Sequence, residues 1–226
     1  MKIAVRGGHN PSATGCKAIL DELTEDRKVK DAVIKYLKEL GHSVLDVTPG
    51  NCNVNADLKY GVDKANSWGA DLFVSIHFNK AYSSYNGAIG TEVCVYNTLA
   101  EGKRIVDNLA ALGFKNRGQK VRKELYELRN TKMKAVIVET CFVEATKDVE
   151  IYRKNGADKV GKVIAEAIAN KKVPAPKPPT TSNITSKKEI YYRVCVGSFK
   201  DKKNAEDQQA KLKKAGFDSF LVAYEK

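Results

Sequence analysis

Short apolar runs alternate with longer segments of helical periodicity along the first three quarters of the chain. The run at residues 71–76 is rich in β-branched and aromatic side chains and predicts a buried strand. Comparable runs predict four more strands, at residues 2–5, 42–47, 89–96 and 135–138. Because helical segments lie between these strands, we predict an α/β fold with a mainly parallel sheet and helices on both faces.

The helical segments are recognised by apolar residues at spacings of three and four. In the first of them, residues 22–40, Val29, Val33 and Leu37 lie on one face and Gly41 ends the helix. The other predicted helices cover a segment capped by Asn55 and ending near residue 68, then residues 99–112 and 158–170. Residues 113–132 are basic and are predicted to be irregular, with a short extended piece at 125–128.

The amino-acid composition of the chain changes after residue 170. Residues 171–188 hold four of the six prolines and few apolar side chains, which predicts an extended linker. Residues 189–226 then predict a small βαβ piece, with strands at 191–197 and 217–224 around a helix at 202–215. We therefore expect a domain at 1–170, a linker at 171–188 and a small module at 189–226.

Charge and cysteine content narrow the classes of function. The net charge is +12, and residues 171–226 contribute +7 of it (13 Lys and Arg against 6 Asp and Glu), which favours a polyanionic partner such as nucleic acid, a membrane surface or an anionic cell wall. The five cysteines are odd in number and include no Cys-x-x-Cys pair, so neither a disulfide framework nor a thiolate zinc site is expected.

The chain carries no sign of membrane insertion or of a leader. No stretch approaches the roughly 20 apolar residues of a membrane-spanning helix. The first residues enter a strand at once, without the apolar core of a signal peptide. We expect a protein made in the cytoplasm, which would act outside the cell only after release.

Four side chains form the candidate chemical site. His9, His77 and Glu139 follow the first, third and fifth predicted strands, and Glu22 begins a helix whose preceding loop can fold back over the same sheet edge. Two histidines and a glutamate satisfy a catalytic zinc site, which keeps one position open for water. A further carboxylate, Glu139, interrupts an apolar strand and could then act as general base and acid.

Each of these residues also has a structural interpretation. A histidine at the end of a strand is commonly held by ordinary hydrogen bonds. Glu22 at a helix N-terminus is favourable for the helix dipole alone. Glu139 could pair with a lysine. From spacing alone, both interpretations stay open.

The motifs, taken in order along the domain, resemble those of the zinc-dependent N-acetylmuramoyl-L-alanine amidases of the type-3 family, which include clostridial phage endolysins. The matching segments are Gly8-His9, Ser75–Asn79, Gly90–Val93, Leu125–Arg129 and Val136–Phe142. The resemblance implies zinc held by His9, Glu22 and His77, with Glu139 as general base and acid. It also implies hydrolysis of the amide between N-acetylmuramic acid and L-alanine in the peptidoglycan of a Gram-positive wall.

Some assignments within this resemblance stay open. Glu25 also lies near the helix start, although the spacing to Gly41 in similar sequences favours Glu22 as the third ligand. Asn79 or Arg129 could contact the substrate and stabilise the developing oxyanion. The family often has a small or apolar residue where this chain has Arg6, which leaves substrate preference undecided. His42 lies at the opposite edge of the predicted sheet and is excluded.

The tail resembles the first half of a SPOR module. The matching residues are Tyr191–Phe199, Ala205 and Gly216-Phe217. SPOR modules bind septal glycan strands stripped of their peptides, which are the product of an amidase. Because only half of the module is recognised and a lone βαβ piece has open edges, we also formulate the hypothesis that two halves pair in a homodimer.

Two rival functions are compatible with parts of the sequence. Cys141 and His77 could form a cysteine-dependent cell-wall peptidase, although no adjacent histidine or helix N-terminus is evident for the thiol. The positive charge also permits a nucleic-acid-binding protein. No helix-turn-helix, zinc-finger or aromatic-basic motif supports it, so we expect no nucleic-acid partner.

Overall fold

The computed structural model describes residues 1–174, 197–217 and 219–221. The chain divides into two compact units, Met1–Pro176 and Lys177–Lys226. The elements of the first unit are β1 (Lys2–Gly7), α1 (Glu22–Glu39), β2 (Ser43–Asp46), α2 (Val54–Trp68), β3 (Leu72–Asn79), β4 (Thr91–Val95), α3 (Ala100–Ala110), β5 (Asn116–Val121), α4 (Tyr126–Asn130), β6 (Lys134–Phe142) and α5 (Thr146–Ala169).

The six strands form one sheet in the order β2-β1-β3-β6-β4-β5. All neighbouring strands are parallel except β4 and β6, which are antiparallel. The central pair, β3 and β6, brings His77 directly opposite Glu139. This confirms the predicted α/β class with a mainly parallel sheet.

The alternation of side chains along the strands divides the core into two layers. On β3, Leu72, Val74 and Ile76 face the larger apolar cluster, which also contains residues of α1, α3 and α5. Phe73 faces a smaller cluster with residues of α2 and α4. Because side chains alternate with period 2, Ser75 and His77 share the face of Phe73. Helices therefore cover both faces. Ser75 and His77 lie on the face that α2 and α4 cover, where the apolar cluster is the smaller of the two.

The structure corrects several predicted elements. Residues 113–132 contain β5 and α4 rather than irregular chain, because β5 is a polar edge strand without apolar alternation and α4 has only five residues. In α2 the cap is Asn53, whose side chain accepts a hydrogen bond from the Ala56 N–H, and not Asn55. The last helix of the unit begins at Thr146 instead of residue 158, and Gly156 with φ 75° interrupts its helical period.

In the second unit the described residues contain one helix, α6 (Lys202–Lys214), capped by the Asp201 side chain. The described residues beside it, 197–201 and 217–221 without 218, hold no strand. The rest of the two predicted strands, and most of the predicted linker, lie outside the described residues. Within the described ranges, every helix is too short or too polar to cross a membrane.

Candidate metal centre

Three side chains from distant parts of the sequence meet at the carboxyl edge of the sheet. His9 follows β1, Glu22 is the first residue of α1 and His77 lies near the end of β3. One ligand atom from each lies within 4.8 Å of the others, and this is the one such group among the residues that the structure describes. The fold thus joins the two histidines and the glutamate that the sequence predicts as metal ligands.

Glu22 lies at the middle of the cluster and is 3% exposed. Its Oε1 is 3.2 Å from His9 Nε2 and 3.2 Å from His77 Nδ1, and it accepts a hydrogen bond from the Phe78 N–H at 3.0 Å. Its Oε2 accepts from the Cys16 N–H at 2.8 Å. Burial raises the pKa of Glu22, but the hydrogen bonds from His77 and His9 outweigh burial and hold the pKa far below its ordinary value. Glu22 is therefore ionised at neutral pH, as a metal ligand must be.

The donor set fits a zinc ion, and two of the three separations between its ligand atoms match zinc geometry. Two imidazoles and one carboxylate are common ligands of catalytic zinc, and tetrahedral ligands at about 2.0–2.1 Å from the metal lie roughly 3.3 Å from one another. The two contacts of Glu22 Oε1, each 3.2 Å, match that separation. The peptide backbone also leaves space for the ligands, since a Cβ on Gly8 would lie 2.1 Å from the His77 ring and one on Gly15 would lie 2.4 Å from Glu22 Oε2.

Side chains of α1 hold the backbone of the loop that carries His9. His9 adopts a left-handed conformation with φ 61°, which is uncommon for a residue other than glycine. The Arg27 guanidinium donates to the carbonyl oxygens of Gly8 at 2.7 Å and of His9 at 2.6 Å. Asp26, which is fully buried, pairs with the same guanidinium at 2.8 Å. These contacts define the position of the His9 ring.

Glu139 lies within β6, between two polar neighbours in the sheet. In the register it is opposite His77 of β3 on one side and Glu92 of β4 on the other. Its Oε2 is buried without a hydrogen-bond partner, and within the described residues no ion pair joins it to a lysine. Burial, with a smaller contribution from the nearby carboxylates of Glu22 and Glu92, raises the pKa of Glu139 to about 7, although His77 opposes the shift.

The two predicted substrate contacts have different surroundings. Asn79 ends β3, and its Nδ2 donates to Glu92 Oε1 at 3.3 Å while Arg117 pairs with Glu92 Oε2 at 2.7 Å. Asn79 therefore lies on the same edge as the cluster. Arg129 is exposed on α4 and lines a hollow with Lys134, at the amino end of β6. The structure does not bring Arg129 to the histidines.

Three polar residues near His77 have no role in the sequence-based prediction. Glu127 is 3% exposed, and its Oε1 lies 3.0 Å from Arg6 Nη1 and 3.3 Å from Ser75 Oγ. Ser75 Oγ in turn lies 3.0 Å from His77 Nε2. Arg6 in an apolar strand is a sequence signal of this network, but its partners Asp57 and Glu127 are 51 and 121 residues away and could not be identified from local pattern.

Other candidate residues lie elsewhere. Glu25 accepts a hydrogen bond from the Tyr152 hydroxyl at 2.8 Å and pairs with Lys28, so its carboxylate is outside the cluster. His42 Nδ1 lies 3.4 Å from the N-terminal amine.

The predicted alternative of a Cys141 nucleophile is not supported by the structure. Cys141 is fully buried in the larger apolar cluster, on the side of the sheet opposite to Phe73. Burial raises the pKa of its thiol well above the ordinary value, so the reactive thiolate is disfavoured. The four cysteines in the described part of the chain, Cys16, Cys52, Cys94 and Cys141, are all free thiols.

Comparison with known families gives two matches. The family model described as N-acetylmuramoyl-L-alanine amidase matches residues 3–170, and the SPOR domain model matches residues 164–223. The chain is 56% identical over 178 residues to an uncharacterized protein of Clostridium perfringens, a match that covers 76% of this chain and 53% of that protein. A second C. perfringens protein is covered to 51%, so the chain spans about half the length of these relatives.

More distant relatives are named for an enzymatic activity. The N-acetylmuramoyl-L-alanine amidase CwlM of Bacillus licheniformis is 28% identical over 230 residues, which cover 98% of this chain and 85% of that protein. Among solved structures, the catalytic domain of the CD27L endolysin, which targets Clostridia difficile, is similar with a TM-score of 0.69 and 28% identity. That match covers 77% of this chain and 99% of the solved domain.

Proposed function

Because the chain belongs to the N-acetylmuramoyl-L-alanine amidase family, we propose that it hydrolyses the amide bond between N-acetylmuramic acid and the L-alanine of the peptidoglycan stem peptide. The observation that carries this proposal is the cluster of His9, Glu22 and His77, with Glu139 in register beside His77. A ligand set and a free carboxylate side by side are the two parts that metal-assisted amide hydrolysis requires.

In this proposal His9, Glu22 and His77 hold a zinc ion. When bound, zinc would supply a Lewis acid that polarises the scissile carbonyl and a charge that lowers the pKa of a water molecule. The protein supplies the three ligand atoms within 4.8 Å of one another and glycine backbone at Gly8 and Gly15, where a side chain would overlap the ligands.

Glu139 is the proposed general base and acid. It accepts a proton from the water that attacks the lactyl carbonyl carbon, and it returns that proton to the alanine nitrogen as the C–N bond breaks. The products are the lactyl carboxylate and a free alanine amine, and no covalent enzyme intermediate forms. A pKa of about 7 and an Oε2 atom without a hydrogen-bond partner suit a group that must both accept and donate a proton near neutral pH.

Asn79 is the proposed donor to the substrate. Its Nδ2 uses one hydrogen for Glu92 Oε1 at 3.3 Å, and the second hydrogen can reach a carbonyl oxygen of the substrate or its developing oxyanion. Arg129 receives no such role, because it lines a hollow with Lys134 at the amino end of β6.

The proposed substrate is the peptidoglycan of a Gram-positive wall. The net charge of +12 favours an anionic polymer surface, and the SPOR match at residues 164–223 supports binding to glycan. The homodimer hypothesis concerns strands outside the described residues and stays a prediction, which sedimentation at micromolar concentration would test.

The test is the clearing of purified Gram-positive walls together with the release of new L-alanine amino termini. We expect both to stop with a zinc chelator and to return when zinc is restored. Glu139→Gln keeps the shape of the side chain but cannot take the proton, so we expect a loss of about 10²–10⁴-fold in rate with zinc still bound. Glu166→Gln, at a buried carboxylate of α5 that pairs with the exposed Lys172, is the matched control and should keep full activity.

Two outcomes would contradict the proposal. If wall cleavage survives complete removal of zinc, the metal cluster does not perform the reaction. If the new termini belong to a peptide bond and the activity is lost on thiol alkylation, the chemistry belongs to a cysteine peptidase instead.

A further inference from the structure

A buried chain of polar side chains runs from α2 to the rear of the His77 ring. Arg6 is 1% exposed and pairs with Asp57 of α2 and, at 3.0 Å, with Glu127 of α4. Glu127 Oε1 lies 3.3 Å from Ser75 Oγ, and Ser75 Oγ lies 3.0 Å from His77 Nε2. Four elements, β1, α2, α4 and β3, therefore converge on the ring nitrogen that faces away from Glu22.

The direction of these hydrogen bonds follows from what each group can donate or accept. A guanidinium only donates, and a carboxylate that pairs with it only accepts. The Ser75 hydroxyl must therefore give its hydrogen to Glu127, which leaves an oxygen lone pair facing His77. That lone pair accepts a hydrogen bond only if the His77 proton is on Nε2.

We propose that Glu127, acting through Ser75, is a positioning residue that keeps the His77 proton on Nε2 and so presents the lone pair of Nδ1 to the metal ion. Nδ1 is the nitrogen on the side of the cluster, 3.2 Å from Glu22 Oε1, and coordination to the metal ion would replace the hydrogen bond that joins these two atoms in the metal-free protein. A neutral imidazole binds a metal through its unprotonated nitrogen, and the partner of the other nitrogen determines which one that is. This inference rests on the proposed zinc site.

Arg6 and Asp57 form the base of the chain. Arg6 holds Glu127 as an acceptor, and Asp57 holds Arg6 while also accepting a hydrogen bond from the Asn10 side chain at 2.5 Å. Asn10 is fully buried and directly follows His9. The Asp57 carboxylate therefore contacts β1 through Arg6 and the His9 loop through Asn10. Each charged group of this buried network has a partner of opposite charge, which offsets the cost of its burial.

A purely structural role predicts a different result from a positioning role. If the network only ties α2 and α4 to the sheet, changing Glu127 would lower thermal stability and leave the intrinsic zinc affinity unchanged. If it sets the tautomer of His77, zinc affinity must fall even in a variant that is folded. The two roles are separated by measuring zinc binding and the protonation of His77 rather than activity.

The first variant is Glu127→Gln in the full chain. The amide keeps the shape of the side chain but removes its negative charge, so it is a weaker acceptor for the Ser75 hydroxyl. Ser75 can then turn its hydrogen towards His77 Nε2, which favours a lone pair on Nε2 and hence a proton on Nδ1. We expect the dissociation constant for zinc, measured by competition with a chromogenic chelator, to rise about 10–100-fold. Glu124→Gln, at the exposed partner of Arg122, is the matched control and should bind zinc like the wild type.

The second variant, Ser75→Ala, removes the acceptor for Nε2–H without changing any charge. We expect the same direction of effect, and this variant decides the question if Glu127→Gln does not fold. Thermal unfolding of the metal-free variants reports folding separately. In the zinc-loaded wild type, the ¹⁵N shifts of the His77 ring should show a protonated Nε2. Zinc affinities within twofold of wild type in both variants, or a protonated Nδ1, would overturn the inference.

These measurements need no substrate, so their failure is distinct from failure of the proposed activity. A wild type that binds zinc with network-dependent affinity but releases no alanine termini would contradict the amidase proposal alone. If the wild type cleaves walls but the Glu127→Gln and Ser75→Ala variants bind zinc as tightly as the wild type, only the positioning role is contradicted.

Discussion

At the scale of single residues, the site depends on the absence of side chains as much as on the ligands. Gly15 has φ +73° and lies against both Glu22 and His9, where a Cβ would be 2.4 Å from Glu22 Oε2 and 2.6 Å from His9 Cδ2. Glu22 cannot move aside, because its oxygens also accept hydrogen bonds from two backbone N–H groups. The geometry of the cluster therefore requires glycine at this position.

Gly15→Ala should weaken zinc binding, whereas Gly41→Ala should not. Both glycines have positive φ, +73° and +86°, so both variants should lose about 1–2 kcal/mol of unfolding free energy to left-handed strain. Only Gly15 faces the cluster, since nothing lies within 4 Å of a Cβ on Gly41. Urea unfolding measures the shared loss, and chelator competition measures the zinc affinity. Equal zinc affinities in the two variants would refute the role of Gly15.

At the scale of elements, the site depends on the packing of α1, which carries Glu22 and Arg27, against α5. Gly161 of α5 lies at their contact, where a Cβ would be 2.4 Å from Ala32 Cβ and 2.8 Å from the Val29 carbonyl oxygen. The backbone of α1 can relieve such an overlap only if the whole helix shifts, whereas the end of a long side chain can change rotamer. The close approach of the two helices thus positions the first turn of α1 over the sheet edge.

Gly161→Ala should destabilise the first unit by about 1–3 kcal/mol, because the added methyl group overpacks a helix contact. Gly102→Ala in α3 is the matched control, because there the added Cβ meets the end of the Gln119 side chain, which can move at the cost of its hydrogen bond from the Leu99 N–H rather than of a backbone shift. The difference in urea midpoint between the two variants measures the effect of the rigid contact. A midpoint for Gly161→Ala equal to that of Gly102→Ala would show that α1 and α5 can separate freely.

At the scale of the whole molecule, the metal centre belongs entirely to the first compact unit. All three proposed ligands, Glu139 and the Arg6 network lie before residue 140, and the unit Met1–Pro176 contains the whole sheet. The second unit adds 11 Lys and Arg against 6 Asp and Glu in residues 177–226, a net +5. We therefore expect the proposed catalysis and the proposed attachment to the wall to be separable.

A chain that ends at residue 176 should bind zinc as tightly as the full chain and still release alanine termini from soluble wall fragments. Its binding to intact walls should be weaker, and less sensitive to salt, because it lacks the net charge of +5 in residues 177–226 and most of the SPOR match. Co-sedimentation with purified walls across a series of salt concentrations measures this. Equal wall binding by both chains would assign attachment to the first unit.

Local pattern was sufficient to predict most of the fold. Alternating and helical periodicity predicted five of the six strands and the sheet class, because burial imposes those periods on the sequence itself. Periodicity did not predict the elements that are too polar, too short or too irregular to show a repeating set of buried positions. The edge strand β5 is polar, α4 is shorter than two turns, and the positive φ of Gly156 hides the start of α5.

The sequence by itself determined which side chains could form a metal site, since strand ends in a parallel sheet share one edge and His9, His77 and Glu139 each fall near such an end. The resemblance to the family favoured Glu22 as the third ligand, and only the tertiary structure shows which other neighbours join them. Glu22 and Glu25 differ by three residues on one helix, yet one faces the histidines and the other bonds Tyr152. Such pairings depend on helix rotation and strand register between segments far apart in the chain, and no local pattern encodes them.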